Sequence, residues 1–492
     1  MRRMALAGRR RWGAPSAAAR PLDASAGRPD TGGMPASFTM DGLPPGQRRW
    51  AVAAIVISVG LASLDTSIAN TALPTIAADV RASPAASIWV VNAYQLALVV
   101  SLLPFASLGE IHGYRRVYGW GLAVFTVASL LCALSWSLPT LAAARVLQGF
   151  GASGVMSVNT ALIRFIYPAR SLGRGVGLNA MVVATSTAVG PTVAAGVLSV
   201  APWPWLFAVN VPFGIVALAL AWRALPDTPH AGHRFDAPSA ALNAGTFGLL
   251  ILGIGEGSHS AGGAVTLPLL AGALGCGALL VRRQLSLRAP MLPVDLYRRP
   301  MFALSSLTSM ASFTAQGLAF VSLPFYFQSV LGRTAVETGL LLTPWPVVTA
   351  LLAPIAGPLS DRYPPAILCG IGLAGLAAGL ALMAALPEDP GALAIVWRML
   401  LCGAGFGLYQ SPNLKAIMSS APPERSGGAS GIVATSRLVG QSVGAALVAL
   451  CFGISARHGP ALALALGAAF AGVAGAASLS RLFAGRAART AR

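Results

Sequence analysis

Apolar runs long enough to cross a bilayer recur along this chain from Ala51 almost to its last residues. They lie near 51–73, 88–108, 117–136, 138–163, 175–200 and 203–222, then near 239–257 and 263–281. After the polar stretch "RRQLSLRAPMLPVDLYRRP", six more follow near 301–331, 336–359, 365–386, 391–413, 428–454 and 460–482. A hydrocarbon core needs about 20 residues of helix, so each run predicts a membrane-spanning helix. The pattern therefore predicts an all-α polytopic membrane protein with fourteen spans.

The charges between the runs set an orientation. With the N-terminus inside, alternate loops hold fifteen basic residues (Arg115, Arg116, Arg164, Arg170, Arg174, Arg223, Arg234, Arg282, Arg283, Arg288, Arg298, Arg299, Arg362, Lys415 and Arg425). The opposite loops hold only Arg81, Arg333 and Arg457. Basic residues stay on the cytoplasmic side, so both termini are expected there. A miscount by one helix would scramble this asymmetry. The net charge of +19 is thereby assigned to membrane orientation, and aromatic residues are not interleaved with the basic ones as a nucleic-acid groove would require.

Polar groups inside the runs carry the chemistry. Asp65 lies near the middle of the first run, in "ASLDTSIANTALP", where an ionised side chain costs about 2.5–3.5 kcal/mol on insertion scales. It must face protein or water, and Ser58, Ala62, Asp65, Ala69 and Ala72 form a small, polar stripe at helical spacing. Arg145, inside the fourth run, is its natural partner, and that face continues through Gln148, Gly149, Ala152, Met156 and Asn159. Two readings stand. The pair is a static clasp between helices, or Asp65 binds and releases a proton under the control of Arg145. Burial and a nearby cation act on a carboxyl in opposite senses, so a conformational change that alters either would switch its protonation. The fifth run is crowded with small residues (Ala184, Ser186, Ala188, Gly190, Thr192, Gly196) and contains Pro191, which suits close packing or a hinge. Asn92, Gln95 and Gln316 are polar residues in other runs that a cavity would accommodate.

Three features occur twice. "ASLGE" (106–110) returns as "GPLSD" (357–361), Arg145 returns as Arg398, and "AVGPTVAAGV" (188–197) returns as "LVGQSVGAAL" (438–447), all at offsets of 250 to 253. A duplication predicts an N-terminal six-helix half over 51–222 and a C-terminal half over 301–482. Linkers and two inserted helices occupy 223–300, and 483–492 forms a cytoplasmic tail. Repeated halves suit a transporter that rocks about a midplane site. Residues 1–50, rich in Arg, Ala, Gly and Pro, read as a disordered cytoplasmic tail. No apolar core follows "MRRMALAGRRRW", so it is not a secretory signal. Met34 and Met40 are alternative starts.

Composition narrows the class. Only 10% of residues are charged and 55% are hydrophobic. Lys415 is the sole lysine, which with the Ala and Gly excess points to a GC-rich bacterial genome. Cys132, Cys276, Cys369, Cys402 and Cys451 are scattered within apolar runs, an odd number that predicts neither a disulfide framework nor a metal site. The five histidines (His112, His230, His233, His259, His458) lie in loops or at span edges, and no nucleophile–base arrangement is visible, so an enzyme is not expected.

These residues resemble the major facilitator superfamily, and within it the 14-span drug–proton antiporters. "LDTSIANTALP" resembles that group's first-helix motif. "RVLQGFGAS" resembles its fourth-helix motif, whose arginine is tied to proton transfer, and "AVGPTVAAG" its fifth-helix antiporter motif. "WLFAVNVPFG" (205–214) and "LPFYFQ" (323–328) resemble stretches typical of the branch. The loop "LGEIHGYRRVYG" departs from the superfamily gate motif by placing Ala106, Glu110 and Ile111 where Gly, Asp and Arg are usual, while Gly113, Arg115 and Arg116 keep the turn and its charge. The second copy keeps Asp361 and Arg362 but has Pro364 and Pro365 in place of the later glycine.

The resemblance implies a secondary transporter of the bacterial cytoplasmic membrane. It would export amphipathic drugs by proton antiport and alternating access, driven by the proton gradient without a cofactor. Asp65 and Arg145 are expected to couple the proton. Asn70, Gln95, Gln148 and Asn159 on one side, and Gln316, Phe325 and Tyr326 on the other, are expected to line the substrate cavity. Glu110, Gly113, Arg115, Arg116, Asp361 and Arg362 are expected to form gates, with Gly190 and Pro191 the hinge. Partners are the lipid bilayer, protons, a small molecule and a periplasmic adaptor protein, with no nucleic acid. The alternative is export or import of an endogenous metabolite or siderophore on the same fold.

Overall fold

A computed structural model describes residues 42–168, 171–228, 230, 235–256, 262–287, 292, 294–421, 426–455 and 457–490. The expected tail up to residue 41, with Met34 and Met40, lies outside them, as do Arg170, Arg234, Arg288, Arg425, His233 and His259. The described chain is helical almost throughout. The first part holds α1 (Pro45–Asp79), α2 (Pro84–Ser87), α3 (Trp89–His112), α4 (Tyr114–Ala133), α5 (Leu138–Ile166), α6 (Leu172–Val200), α7 (Trp205–Ala208) and α8 (Asn210–Ala224). Next come α9 (Ala237–Glu256) and α10 (Gly262–Ser286). The last part holds α11 (Pro300–Phe325), α12 (Ala335–Leu342), α13 (Pro344–Arg362), α14 (Pro365–Ala384), α15 (Ala392–Ser420), α16 (Ser426–Ile454) and α17 (Gly459–Thr490).

Thirteen described helices are long and apolar enough to cross a membrane. α11 has the length but carries eight Ser, Thr or Gln side chains, which lower its mean apolarity. Several of these hydroxyls donate to the preceding turn, as Ser305 does to Met301 and Thr314 to Met310, and so need no water. Large apolar side chains such as Trp120, Leu134, Leu267, Leu274, Val200 and Leu393 are exposed on the outside. A soluble protein would bury such a surface; here lipid covers it.

Three expected runs are broken, each beside a proline that lacks a backbone donor. Pro344 and Pro346 separate α12 from α13 at Thr343, Pro212 falls where α7 yields to α8, and α11 gives way just after Pro324 to a π-helical turn over Tyr326–Val330. α1 begins at Pro45, inside the segment expected to be a tail, and α17 continues past residue 482.

Two sets of six spans repeat the same pairings. α1 packs on α6 and α8, α4 on α5 and α8, and α3 on α5. In the same way α11 packs on α16 and α17, α14 on α15 and α17, and α13 on α15. α1, α3 and α6 meet α11, α16, α12 and α13 across the centre. α9 and α10 form a hairpin that touches α3 and α16, one helix from each set. Asp236 pins its open end by accepting from Arg283 at 2.8 Å and from Ser239. Partial burial pushes the Asp236 carboxyl up, but hydrogen bonds from Arg283 and Ser239 outweigh it and hold it below the usual range.

Candidate functional site

The first polar centre is built where α1, α5 and α8 meet. Asp65 and Arg145 are in direct contact, 1% and 0% exposed respectively. The other carboxylate oxygen of Asp65 accepts from Gln148 Nε2 at 2.8 Å and from Asn210 Nδ2 at 2.9 Å. Arg145 also donates to Gln148 Oε1 at 2.6 Å and, through Nε, to the Val90 carbonyl at 2.9 Å. Among the described residues, nothing accepts from one guanidinium nitrogen, Nη2. The guanidinium lies 4.2 Å from the Tyr94 ring centre and 5.5 Å from that of Phe207, two cation–π contacts. The centre is thus an internally neutralised charge pair sealed by aromatic rings.

Tyr94 also lines a central cavity of about 100 Å³ between the two helix sets. Its hydroxyl donates to the Ala62 carbonyl at 3.3 Å, so the ring stands as a partition between ion pair and cavity. Of the residues expected in the cavity, Asn70, Gln95 and Gln316 line it. Gln148 does not, because it is consumed by the Asp65 centre, where its Nε2 also donates to Ser129 at 2.9 Å. Asn159 pairs instead with Asn179 at 2.7 Å. Phe325 is buried against Phe452 with ring centres 5.1 Å apart, and Tyr326 is buried in the core of the second helix set. They sit in the last turn of α11 and at the start of the π-helical turn after it, Phe325 in a core cluster with Ile68 and Leu73 of α1 and Val448 of α16.

α6 meets α1 through its proline. Pro191 has no N–H to give to the carbonyl four residues back, at Thr187. Ser67 of α1 supplies the missing donor, its Oγ lying 3.1 Å from the Thr187 oxygen. A side chain at Gly190 would prevent this approach, since a Cβ there would stand 2.2 Å from Ser67 Oγ.

The expected gate residues occupy two surface contacts. Gly113 joins α3 to α4 with φ of 92°, a conformation that branched side chains avoid. Beside it the Tyr114 amide donates to Thr228 Oγ1 at 2.9 Å, and Arg115 pairs with Asp227 at 3.0 Å. Arg115 also donates to the Trp222 carbonyl. The loop is therefore clamped to the chain leaving α8. Glu110 and Arg116 are exposed there. In the second copy Asp361 pairs with Lys415, not with its neighbour Arg362. These pairs are largely exposed and each is worth at most about 1 kcal/mol. We expect Gly113→Val to lower the initial transport rate several-fold and the melting midpoint by a few °C, while Glu110→Asp stays near wild type. Wild-type rates for Gly113→Val would show that the turn tolerates a branched residue.

The carboxylate–guanidinium pair and the cavity lie within two matched six-helix sets, and repeated membrane halves around a central site suit a transporter. The family model described as Major Facilitator Superfamily matches residues 55–445. The chain belongs to the major facilitator superfamily. Its family and fold are those of membrane transporters, not of enzymes. The facilitator is 56% identical to the "Uncharacterized transporter YebQ" of Escherichia coli K12, over 87% of this chain and 94% of that one. It is 30% identical to the riboflavin transporter RibZ of Clostridioides difficile, covering 82% and 89%. It is 32% identical to the tetracenomycin C resistance and export protein of Streptomyces glaucescens, covering 82% and 75%. Among solved structures it is similar to an inward-facing, unoccupied bacterial homologue of the human lysosomal transporter Spinster, with a TM-score of 0.65 and 15% identity over 90% of this chain and 98% of that one.

Three residues of the facilitator's centre are not prominent in its sequence. Asn210 was visible only as a lone amide inside "WLFAVNVPFG", and Tyr94 as an aromatic among many. Arg437, which lines the cavity, was detectable as a further arginine inside a span, in "TSRLVGQSVG".

Proposed function

We propose that this facilitator is a proton-coupled exporter of amphipathic small molecules in the bacterial cytoplasmic membrane, of the 14-span drug–proton antiporter kind, with both termini cytoplasmic. The observation that carries the reading is the Asp65 carboxylate, held by Arg145, Gln148 and Asn210 one aromatic ring away from the cavity. A proton arriving on Asp65 removes the negative charge that Arg145 neutralises. The guanidinium then sits in a buried site without a counter-ion, a costly state. Relief comes from movement of α5 relative to α1, which displaces Tyr94 and opens the partition. Loss of the proton to the other side restores the pair and closes it.

The cavity of about 100 Å³ is smaller than the 300–1,000 Å³ typical of ligand sites, so a drug-sized molecule requires it to widen. Parting of the two helix sets enlarges it. The name of the Streptomyces relative supports export of a drug-like molecule. The name of the Clostridioides relative supports the second reading, a dedicated metabolite carrier. Transport into inverted membrane vesicles energised with an inward-acid gradient separates them. A drug exporter accumulates several unrelated amphipaths and loses this with a protonophore. A dedicated carrier accumulates one compound only, and equal accumulation without a gradient would end the coupling hypothesis.

Orientation is checked by labelling. Ala237, the first residue of α9, is exposed, and so is Glu388 in the loop between α14 and α15. In a cysteine-free background, Ala237→Cys should resist an impermeant maleimide in intact cells, and Glu388→Cys should react. The reverse pattern would invert the topology.

A further inference from the structure

The cavity wall contains a cation, and no described residue supplies it with a counter-charge. Arg437 lies in α16, about 8 Å short of the middle of the span Gly431–Ile454. It is half-buried, and among the described residues nothing forms an ion pair or hydrogen bond with it. No described Asp or Glu lines the cavity, and Asp65 is saturated behind Tyr94. A charge at membrane depth with no partner marks a functional site. The cost of keeping it there is offset only if something anionic occupies the site during the cycle.

A second observation comes from the opposite wall. Gln95 and Ser63, 5% and 8% exposed, line the same cavity, and among the described residues nothing pairs with Gln95 Oε1 or Ser63 Oγ. Asn70 Oδ1 on the same wall is also unpartnered. Buried polar atoms without partners are rare in folded proteins and cost free energy unless something pairs with them. Gln441 Nε2 donates to Gln316 Oε1 at 3.2 Å, tying α16 to α11 beside the arginine. The cavity therefore offers a positive charge on one wall and unpaired hydrogen-bonding groups on the other. The repeat gives these walls a common origin, because Arg437 stands at the offset of Thr187, which lines the cavity from α6.

We propose that Arg437 is the counter-ion for a carboxylate or phenolate of the transported molecule, so that the substrate class is amphipathic organic anions bearing hydroxyl or amine groups. The proposal rests on the transport reading above and narrows it. The planar guanidinium engages a carboxylate through two parallel hydrogen bonds, which a lysine does not reproduce. The groups of the opposite wall then hold the hydroxyls or amines. A charge pair about 6 Å apart at an effective dielectric of about 20 changes affinity roughly a hundredfold, favouring anions and opposing cations. The same charge disfavours lipophilic cations.

The test uses two dyes that share a xanthene core, anionic fluorescein and cationic rhodamine 123. Binding to the full chain in phosphatidylcholine nanodiscs is followed by fluorescence polarisation at neutral pH. Fluorescein is expected to bind at least about tenfold more tightly than rhodamine 123. Arg437→Gln should weaken fluorescein by about tenfold or more and leave rhodamine 123 unchanged or improved, while Arg437→Lys should lose less than Arg437→Gln. The melting midpoint of each variant shows that it folds, and the Lys variant keeps the test valid if Gln does not. A preference for rhodamine 123, absent fluorescein binding, or equal affinities for wild type and Arg437→Gln would overturn the proposal. Displacement of fluorescein by added phosphatidylglycerol would assign Arg437 to a lipid headgroup and also overturn it. Proton-driven flux in liposomes separates this from the coupling reading. Arg437-dependent binding without proton-driven flux removes the coupling and leaves the anion site. Proton-driven flux of rhodamine 123 alone does the reverse.

Discussion

Asp65→Asn should reach the membrane, melt at a lower temperature and lose proton-driven transport by about a hundredfold or more. The substitution keeps size and hydrogen-bonding capacity but fixes the charge at zero. Insertion of α1 becomes easier, since a cost of about 2.5–3.5 kcal/mol is removed. The folded protein fares worse. Arg145 is 0% exposed and loses its counter-ion, and breaking a buried pair in this way costs about 3–5 kcal/mol. A second variant separates stability from coupling. Asp65→Asn combined with Arg145→Gln removes both charges, so the melting midpoint should recover much of its loss. Transport should not recover, because no carboxyl remains at this centre to carry a proton. Flux into proteoliposomes under an imposed pH gradient is the measurement. If the double variant pumps at the wild-type rate, the pair is a helix clasp and the proton travels elsewhere.

Gly190→Val should be nearly as damaging, without touching a charge. The closest heavy atom to a Cβ at residue 190 is Ser67 Oγ, at 2.2 Å. A larger side chain pushes α1 and α6 apart and takes Ser67 away from the Thr187 carbonyl that Pro191 leaves without a helical donor. Overpacking costs about 1–3 kcal/mol, and the carbonyl loses its hydrogen bond as well. We expect a fall of several °C in the melting midpoint and at least about a tenfold loss of transport, since the displaced helix carries Asp65. Gly190→Ala should show a milder form of both effects. Ser67→Gly in the Gly190→Ala background should restore the midpoint by making space, but not the full rate, because the hydroxyl is gone. A Gly190→Val variant with wild-type melting and flux would show that this contact does not matter.

The sequence alone determined the spans, because crossing a bilayer is a local demand on length and apolarity that each segment meets by itself. It also determined the Asp65–Arg145 partnership, since two opposite charges with no water nearby have few other companions. The turn at Gly113 was legible for a similar reason, as glycine between two helices signals a backbone conformation. Which face of each helix meets the cavity was decided only by tertiary packing. Gln148 shares a helical face with Arg145, but whether that face borders space or a carboxylate depends on α1 and α8, more than sixty residues away in either direction. Phe325 and Tyr326 lie next to Pro324, and packing against other helices buries both in apolar clusters. Asn210 and Arg437 stand in ordinary apolar runs, and their roles come from neighbours brought over from other helices. Burial and charge pairing are properties of three-dimensional surroundings, and hydropathy along one helix records only that a polar group is present.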